Sequence, residues 1–198
     1  MNKKLIGWMF VLVSVCAFLI VLHHSAESAR GDYRKIRCAI NLRLLGQALA
    51  QYVQDAGGGT YYPYPGNGDF GGAQFLAAVY WAGVIAEPKV FICPSTSDSN
   101  DDGFKLGSSF RKVAPDAVSY ASRGSHLTAQ PMTASFPSDT VLAADDDEGA
   151  PNHRDRTYIL YSDLHVKLDG HLVPRSKAWN STVKDIIGVQ PPLDTLEN

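Results

Sequence analysis

Residues 5–22, LIGWMFVLVSVCAFLIVL, form an apolar stretch that contains no charged side chain. Eighteen residues of α-helix rise about 27 Å, which is close to the apolar thickness of a lipid bilayer. Lys3 and Lys4 precede the stretch, and the polar run His23-His24-Ser25 lies directly after it. The sequence therefore predicts one membrane-spanning helix near the N-terminus.

The apolar stretch is predicted to stay in the protein as an anchor. A cleavable signal peptide has a shorter apolar core and an A-x-A pattern of small residues at the cut. The tripeptides His24-Ser25-Ala26 and Glu27-Ser28-Ala29 both break that pattern, and Ala26-Glu27-Ser28 fits it poorly. Cleavage near Ser28, which would release a secreted protein, is the alternative.

The orientation of the anchor is predicted from charge and from the cysteines together. Basic residues are fewer before the stretch (Lys3, Lys4) than after it (Arg30, Arg34, Lys35, Arg37). That bias alone does not favour export of the C-terminal part of the chain, but long domains cross membranes regardless of flanking charge. The cysteines fit an oxidising compartment. We therefore predict a single-pass inner-membrane protein with Met1 in the cytoplasm and its head in the periplasm or extracytoplasmic space.

A second apolar pattern, from Arg30 to Asp55, is typical of an amphipathic helix. The stripe consists of Ile36, Ile40, Leu44, Ala48 and Tyr52, widened by Leu45, Leu49 and Val53. Gly57-Gly58-Gly59 predicts a firm stop, because glycine tolerates the left-handed backbone that closes helices. The helix is predicted to continue the anchor, with Gly31 as its weakest point, and to cover a sheet with its stripe.

The rest of the chain predicts a small, loop-rich α+β head. The expected elements are a helix at Ala73–Trp81, a β-like run at Val90–Pro94, strands at Ser119–Ala121 and Thr140–Ala144, and a hairpin of Thr157–Tyr161 with Leu164–Leu168. The predicted organisation is a transmembrane anchor at 1–24, an amphipathic helix at 25–56, the head at 57–190 and a flexible tail at 191–198.

Composition narrows the function. The formal net charge is −2, so the chain has no global attraction to nucleic acid, and nucleic-acid binding is not expected. A hydrophobic content of 45% with 17 glycines and 11 prolines is typical of a folded domain with many turns. The chain also lacks the G-x-S-x-G, Walker A and dinucleotide-binding patterns, so no common enzyme class is indicated.

Three local patterns occur in order behind the apolar helix. They are Arg37-Cys38-x-x-Asn41-Leu42-Arg43-x-Leu45-Gly46-Gln47-Ala48-Leu49-x-x-Tyr52, then Val90-Phe91-x-Cys93-Pro94-Ser95, then Asn152-His153 followed after nine residues by Asp163. Together they resemble the pilin-like family related to the major pseudopilins of type II secretion, in the branch with a C-terminal H-x9-D-G signature. The resemblance implies a pilin-like fold, a long helix packed on a small antiparallel sheet.

The resemblance also implies a non-enzymatic function. The chain would be a structural subunit of a type II secretion or type IV pilus-like assembly, acting by helix packing and head contacts. Its partners would be other pilin-like subunits, including copies of itself, and inner-membrane assembly proteins. No cofactor is implied, although related pseudopilins can bind calcium in their heads.

The sequence departs from the family pattern in two places. Family members carry a glycine followed by Phe-Thr-Leu-x-Glu, whereas Gly7 is followed by Trp8-Met9-Phe10-Val11-Leu12, and no carboxylate occurs in the span. Leu164 replaces the glycine of the D-G pair, which predicts a different turn backbone. The alternative function is therefore a membrane-tethered binding or metal-dependent hydrolytic domain that does not polymerise.

The three cysteines are predicted to differ in role. Cys16 lies in the apolar span and is interpreted as a small hydrophobe. Cys38 and Cys93 belong to the first two patterns, and in an exported head they could form a disulfide worth about 3–5 kcal/mol. Two buried free thiols are the alternative.

One acidic segment matches the start of a calcium loop. Asp98, Asn100 and Asp102 alternate along the chain and Gly103 follows them, a spacing that lets oxygens converge on a hard cation. The twelfth position is Ser109 rather than the bidentate glutamate. A solvated acidic loop is therefore the favoured interpretation, and calcium binding at these three residues is the alternative.

A second set of polar residues could serve a metallohydrolase. Its members are Asp145, Asp146, Asp147, Glu148, His153, Asp155, Asp163 and His165, whose types suit zinc or iron. Their spacing matches no zinc pattern such as H-E-x-x-H. The favoured hypothesis is structural: a hydrogen bond between His153 and Asp163 that fixes the loop and the hairpin. No catalytic residue is assigned.

Overall fold

The computed structural model describes residues 3–63, 72–108, 112–114, 116–123, 133–135, 137–145, 153, 157–169 and 196–197. The chain divides into two compact units, Met1–Ile36 and Arg37–Asn198. Its architecture is a long N-terminal helix and a small antiparallel sheet, which confirms the predicted α+β layout.

Helix α1 extends without a break from Lys3 to Asp55. Gly31, the predicted weak point, lies inside it. From Trp8 onward, the large apolar side chains of the N-terminal unit are exposed, for example Trp8 at 70%, Phe10 at 71% and Phe18 at 62%. The helix is long and apolar enough to cross a membrane, and its most apolar window buries none of its residues.

The C-terminal end of α1 has the predicted glycine stop. Gly58 and Gly59 have φ values of 62° and 73°, which only glycine adopts without strain. The amide of Gly59 donates to the carbonyl of Val53 at 2.8 Å and so satisfies one of the last free carbonyls of the helix. The chain then turns away, with Tyr61 paired to Thr133 in an isolated β-bridge.

Gly57 is expected to be intolerant of alanine. A Cβ at this position would lie 1.9 Å from the carbonyl oxygen of Tyr61, so the backbone would have to move. We expect Gly57→Ala to lower the free energy of unfolding by about 1–3 kcal/mol, the usual cost of overpacking. Urea unfolding of the full chain in a mild detergent, followed by circular dichroism, measures it.

Gly31→Ala is the matched control for Gly57→Ala. A Cβ at Gly31 meets nothing within 4 Å, and alanine is favoured over glycine in a helix interior by about 1 kcal/mol. It should therefore leave stability unchanged or raise it. Equal destabilisation by the two substitutions would contradict the close approach at Gly57.

The buried face of α1 in the head unit differs from the predicted stripe. The fully buried apolar side chains are Cys38, Leu42, Leu45, Leu49 and Val53, with Ala48 beside them. Ile40 and Leu44, by contrast, are 42% and 41% exposed, and Ile36 in the other unit is 58% exposed. A strict four-residue repeat drifts about 40° around the helix at each step, so a row from Ile36 to Tyr52 cannot share one face. The mixed four-and-three spacing of the buried residues stays on one side.

The sheet is antiparallel, with strand order β4-β3-β2-β1-β5. Its strands are β1 (Tyr120–Arg123), β2 (Val141–Asp145), β3 (Thr157–Tyr161), β4 (Val166–Asp169) and β5 (Leu196–Glu197). Strands β1 to β4 lie within about two residues of their predicted positions. Within the predicted flexible tail, Leu196 and Glu197 instead pair with Arg123 and Ser122. This pairing supplies partners for the backbone groups of an edge strand.

The β3–β4 hairpin turns at Leu164, which has a φ of 69°. Among the described residues, every other positive φ belongs to a glycine. The Leu164 amide donates to the carbonyl of Tyr161 at 2.9 Å. Leu164 thus adopts the left-handed conformation that glycine favours. That this turn differs from the backbone usual in the pilin-like family stays a prediction. The Leu164 side chain lies against α1 near Gly46.

Two short segments precede the sheet. Helix α2 (Ala73–Trp81) has its predicted bounds and ends before Gly83, whose φ is 72°. The β-like run predicted at Val90–Pro94 is wrong in its first part, since Pro88–Phe91 forms a 3-10 helix. Proline presets the helical φ at its start, and the Glu87 side chain accepts a hydrogen bond from the Lys89 amide.

One hydrophobic core joins α1, α2 and the sheet. Its largest fully buried members include Leu42, Leu45, Leu49, Phe75, Phe91, Tyr120, Leu142 and Leu160. Gly46 is where α1 approaches the sheet closely, because a Cβ there would lie 2.8 Å from Cδ1 of Leu160. The core therefore brings the buried face of α1 together with strands β1 and β2.

Candidate functional site

Four side chains with metal-binding groups meet inside the head. They are Cys38, Cys93, Asp145 and His153, and one ligand atom from each lies within 4.8 Å of all the others. The two cysteines are 0% exposed, Asp145 is 3% and His153 is 4%. Cysteine is commonly buried, but a carboxylate such as that of Asp145 is almost never fully buried unless it is paired, so its place in the cluster is a specific feature of the fold.

Two hydrogen bonds to backbone carbonyls fix the loop that carries Cys93 against the helix that carries Cys38 and against the sheet. Asn41, one turn after Cys38 on α1, donates from Nδ2 to the carbonyl of Ile92 at 2.9 Å. The Ser119 amide donates to the carbonyl of Phe91 at 2.9 Å, which ties the same loop to the start of β1. Cys93, which directly follows Ile92, is therefore held between the helix and the sheet.

Asp145 and His153 form the other half of the cluster. Asp145 is the last residue of β2 and is paired in register with Tyr120 of β1. Its Oδ2 lies 3.0 Å from Nε2 of His153, and both side chains are 2% exposed. The His153 ring also contacts Tyr158 of β3 edge-to-face, at 5.3 Å between ring centroids.

Nε2 of His153 faces two partners at once. It lies 3.0 Å from Asp145 Oδ2 and 3.5 Å from Cys93 Sγ, while the other ring nitrogen, Nδ1, lies 3.5 Å from Ser95 Oγ. One ring nitrogen carries at most one proton, so it cannot donate a full hydrogen bond to both.

The surroundings shift the pKa values of the cluster in different directions. Burial raises the pKa of Cys38 well above its ordinary value. A hydrogen bond from Cys38 lowers the pKa of Cys93, although burial opposes this. Desolvation alone would lower the pKa of His153, but its contacts with Asp145 and Cys93 outweigh this effect and raise the pKa to about 9. These two shifts favour a thiolate at Cys93 beside a protonated imidazole at His153.

This geometry does not suit a thiol nucleophile. In a nucleophile–histidine–carboxylate triad, one ring nitrogen faces the nucleophile and the other faces the carboxylate. Here the same nitrogen, Nε2, faces both Cys93 and Asp145. Cys93 is also fully buried, which keeps a substrate from its sulfur. Instead, one ligand atom from each of the four groups lies within 4.8 Å of the others.

The predicted partnership of His153 with Asp163 is not formed. His153 contacts Asp145, Cys93 and Ser95, whereas Asp163 accepts hydrogen bonds from the backbone amide and ring Nδ1 of His165. The His165 ring also stacks on Tyr161 at 4.4 Å between centroids. Asp163 and His165 thus form a local, exposed pair at the hairpin turn. Side chains two residues apart in a tight turn are close enough to bond without any long-range contact.

The three predicted calcium ligands take part in hydrogen bonds of their own loop. Asp98 Oδ2 accepts from Ser119 Oγ at 2.5 Å, and Asp102 Oδ1 accepts from the Phe104 amide at 2.9 Å. Asn100 is buried, and its Nδ2 donates to the carbonyl of Ala117 at 2.6 Å. These contacts account for the loop conformation, and calcium binding stays a prediction.

The predicted disulfide between Cys38 and Cys93 concerns two residues that the fold does bring together. Both are buried free thiols in the structure, and their sulfur atoms lie within 4.8 Å of each other. A disulfide would require a sulfur separation of about 2.05 Å. Cys16, in the apolar part of α1, is exposed within the chain itself.

Each of the four residues is a candidate in the sequence, but the sequence does not predict that they meet in one cluster. Asp145 and His153 belong to the predicted metallohydrolase set, of which Asp146, Asp147, Glu148 and Asp155 lie outside the described residues. Cys38 and Cys93 are the two residues of the predicted disulfide. The missing link was that each of the three sequence patterns carries one of Cys38, Cys93 and His153. Spacings of this length match no compact metal motif, so only folding reveals the convergence.

The chain was also compared with known proteins. No family model, no curated protein and no solved structure matches it.

Proposed function

We propose that this protein is a membrane-anchored, pilin-like structural subunit that associates with like subunits through helix α1. The main support for the proposal comes from helix α1, which runs from Lys3 to Asp55. Its first part exposes large apolar side chains, and its last part is buried in the core of the head. A large contiguous apolar surface that is exposed in the isolated chain marks a face that lipid or another protein covers. The resemblance of its three sequence patterns to pseudopilins supports the same function.

The N-terminal unit supports membrane insertion and lateral packing. From Gly7 to Arg30 every described side chain is exposed, and the segment that spans a bilayer in length contains no carboxylate. In lipid, a helix of this kind is stable alone or packed on others by van der Waals contact.

The head unit adds an apolar surface outside that segment. Ile40 and Leu44 lie one turn apart on α1, and both are more than 40% exposed, at 42% and 41%. The opposite side of the same turns carries the fully buried Leu42 and Leu45. We propose that Ile40 and Leu44 contact the corresponding helix of a second copy of this chain, because that helix offers the same apolar pair.

Crosslinking in native membranes tests the proposal. An amine-reactive crosslinker should give a ladder of dimers and larger species from the full chain. The substitutions Ile40→Glu and Leu44→Glu together should reduce the crosslinked species by about tenfold, since the loss of about 1.4 kcal/mol of contact free energy weakens association tenfold.

Gln47→Glu is the control, because Gln47 is an exposed residue of the same helix and the change also introduces a glutamate, one where the double variant introduces two. It should leave the ladder intact. A wild-type chain that yields monomers only would overturn the proposal and favour the alternative, a tethered domain that does not polymerise.

Protease treatment of spheroplasts tests the proposed location. An extracytoplasmic head should be degraded in intact spheroplasts, and a cytoplasmic head should be degraded only after lysis. The hydrolytic form of the alternative function has less support, because Cys93 and His153 are 0% and 4% exposed and a substrate would have to reach them.

A further inference from the structure

We propose that Cys38, Cys93, Asp145 and His153 bind one zinc ion and that this site fastens helix α1 to the sheet. The ion would be held by two thiolates, one imidazole nitrogen and one carboxylate oxygen. This inference goes beyond the proposed assembly function and does not depend on it, since a head with this site could belong to an assembling or a solitary protein.

The spacing of the ligand atoms fits a tetrahedral ion. With zinc–sulfur bonds near 2.3 Å and zinc–nitrogen or zinc–oxygen bonds near 2.0 Å, ligand atoms of a tetrahedron lie about 3.3–3.8 Å apart. His153 Nε2 lies 3.0 Å from Asp145 Oδ2 and 3.5 Å from Cys93 Sγ. All pairs lie within 4.8 Å, so side-chain movements of about 1 Å or less would complete the site.

The ligand types select zinc over the hard cations. Sulfur and imidazole ligands suit zinc, while calcium and magnesium require oxygen ligands. An ion among the four ligand atoms would also explain why Nε2 of His153 lies close to both Asp145 and Cys93. A single proton cannot bond Nε2 to both groups, whereas one ion can bind all three.

The surroundings fit a structural zinc site rather than a catalytic one. Structural sites fill all four positions with protein ligands, whereas catalytic sites keep one position open for water. Here four protein ligands converge, and none is more than 4% exposed. Ser95 Oγ lies 3.5 Å from Nδ1 of His153, where it can orient the ring with Nε2 toward the ion.

The elements that carry the ligands explain what the ion would do. Cys38 is on α1, Cys93 comes after the 3-10 helix Pro88–Phe91, Asp145 ends β2, and His153 lies between β2 and β3. These segments are far apart in sequence. An ion binding all four would stabilise the native state but not the unfolded chain, so it would raise the stability of the whole head unit.

The test uses the full chain purified in a mild detergent under reducing, oxygen-free conditions, with elemental analysis for zinc. We expect about one zinc per chain that survives a competing chelator of moderate strength. After stronger chelation, added Co²⁺ should give the visible bands of a tetrahedral site and a thiolate-to-cobalt charge-transfer band. The Co²⁺ spectrum needs no substitution, so it remains informative even if a variant fails to fold.

Matched substitutions locate the ligands. Cys93→Ser, Asp145→Asn and His153→Gln should each abolish retention of zinc, while Cys16→Ser, Asp163→Asn and His165→Gln should each keep about one zinc per chain. The control residues are of the same types but lie outside the cluster. Ser95→Ala should retain zinc with an affinity lowered about 10- to 100-fold, the usual effect of losing an outer hydrogen bond.

Three results would overturn the proposal. The first is a folded wild-type chain that retains no zinc and shows no charge-transfer band with Co²⁺. The second is zinc that persists in Cys93→Ser and His153→Gln. The third is a Cys38–Cys93 disulfide in protein isolated directly from membranes with thiols blocked, because a disulfide leaves no thiolate for the ion. Membrane crosslinking would be unaffected by any of these results.

Discussion

His153→Ala is expected to lower the free energy of unfolding of the head by about 3–5 kcal/mol, even with a chelator present. Removing one partner of a buried ion pair leaves the other charged and uncompensated, at a cost of that size. Asp145 would lose a partner 3.0 Å away in a site where both side chains are 2% exposed. Urea unfolding in detergent, followed by tryptophan fluorescence, to which the half-buried Trp81 of the head contributes, measures the change.

The exposed histidine provides the control for His153→Ala. His165 pairs with Asp163, but their side chains are 48% and 42% exposed, so water solvates whichever partner remains. His165→Ala should therefore have a far smaller effect on the unfolding midpoint than His153→Ala.

A double variant tests the cause of the loss. Replacing both Asp145 and His153 by alanine should cost less than the sum of the single substitutions, because no charge is then left unpaired. Strictly additive costs would show that the pair contributes packing alone.

Leu160→Ala is expected to lower the free energy of unfolding by about 2–5 kcal/mol, the range for emptying a buried leucine site. Leu160 is fully buried on β3, and its Cδ1 faces Gly46 on α1. The substitution therefore opens a cavity where the helix meets the sheet. The same urea titration measures it, with circular dichroism to establish that the variant folds.

Leu168→Ala on β4 is the control for Leu160→Ala, since Leu168 is in the same hairpin but is 37% exposed and leaves a smaller cavity. A second experiment changes Gly46, the residue of α1 that faces Leu160. Gly46→Ala would place a methyl group 2.8 Å from Leu160 Cδ1, so it should harm the wild-type chain more than the Leu160→Ala variant. Equal effects in both backgrounds would contradict the contact.

Local signals in the sequence predicted those elements that depend on neighbouring residues. The triple glycine after Asp55, the bounds of Ala73–Trp81 and the hairpin at Ser162–Asp163 all rest on turn and capping chemistry within a few residues. The apolar stretch at the N-terminus likewise needs only length and composition. Each of these features is present in the structure.

The faces of α1 show what local signals leave open. Counting apolar residues placed Ile40 and Leu44 inside, yet the structure buries Cys38 and Asn41 and exposes that pair. Both rows of the helix are apolar enough to be buried, and the sheet covers only one. Asn41 is buried because a carbonyl of a distant loop, Ile92, accepts its hydrogen bond.

The sequence by itself determined the long helix, its end and most of the strands, because these depend on periodicity, chain length and glycine at specific positions. Only the tertiary structure decided which helical face meets the sheet and that Cys38, Cys93, Asp145 and His153 share one buried site. The physical reason is that burial and convergence depend on contacts between residues far apart in the chain. Such contacts form only when the core closes, and a linear pattern carries no record of them.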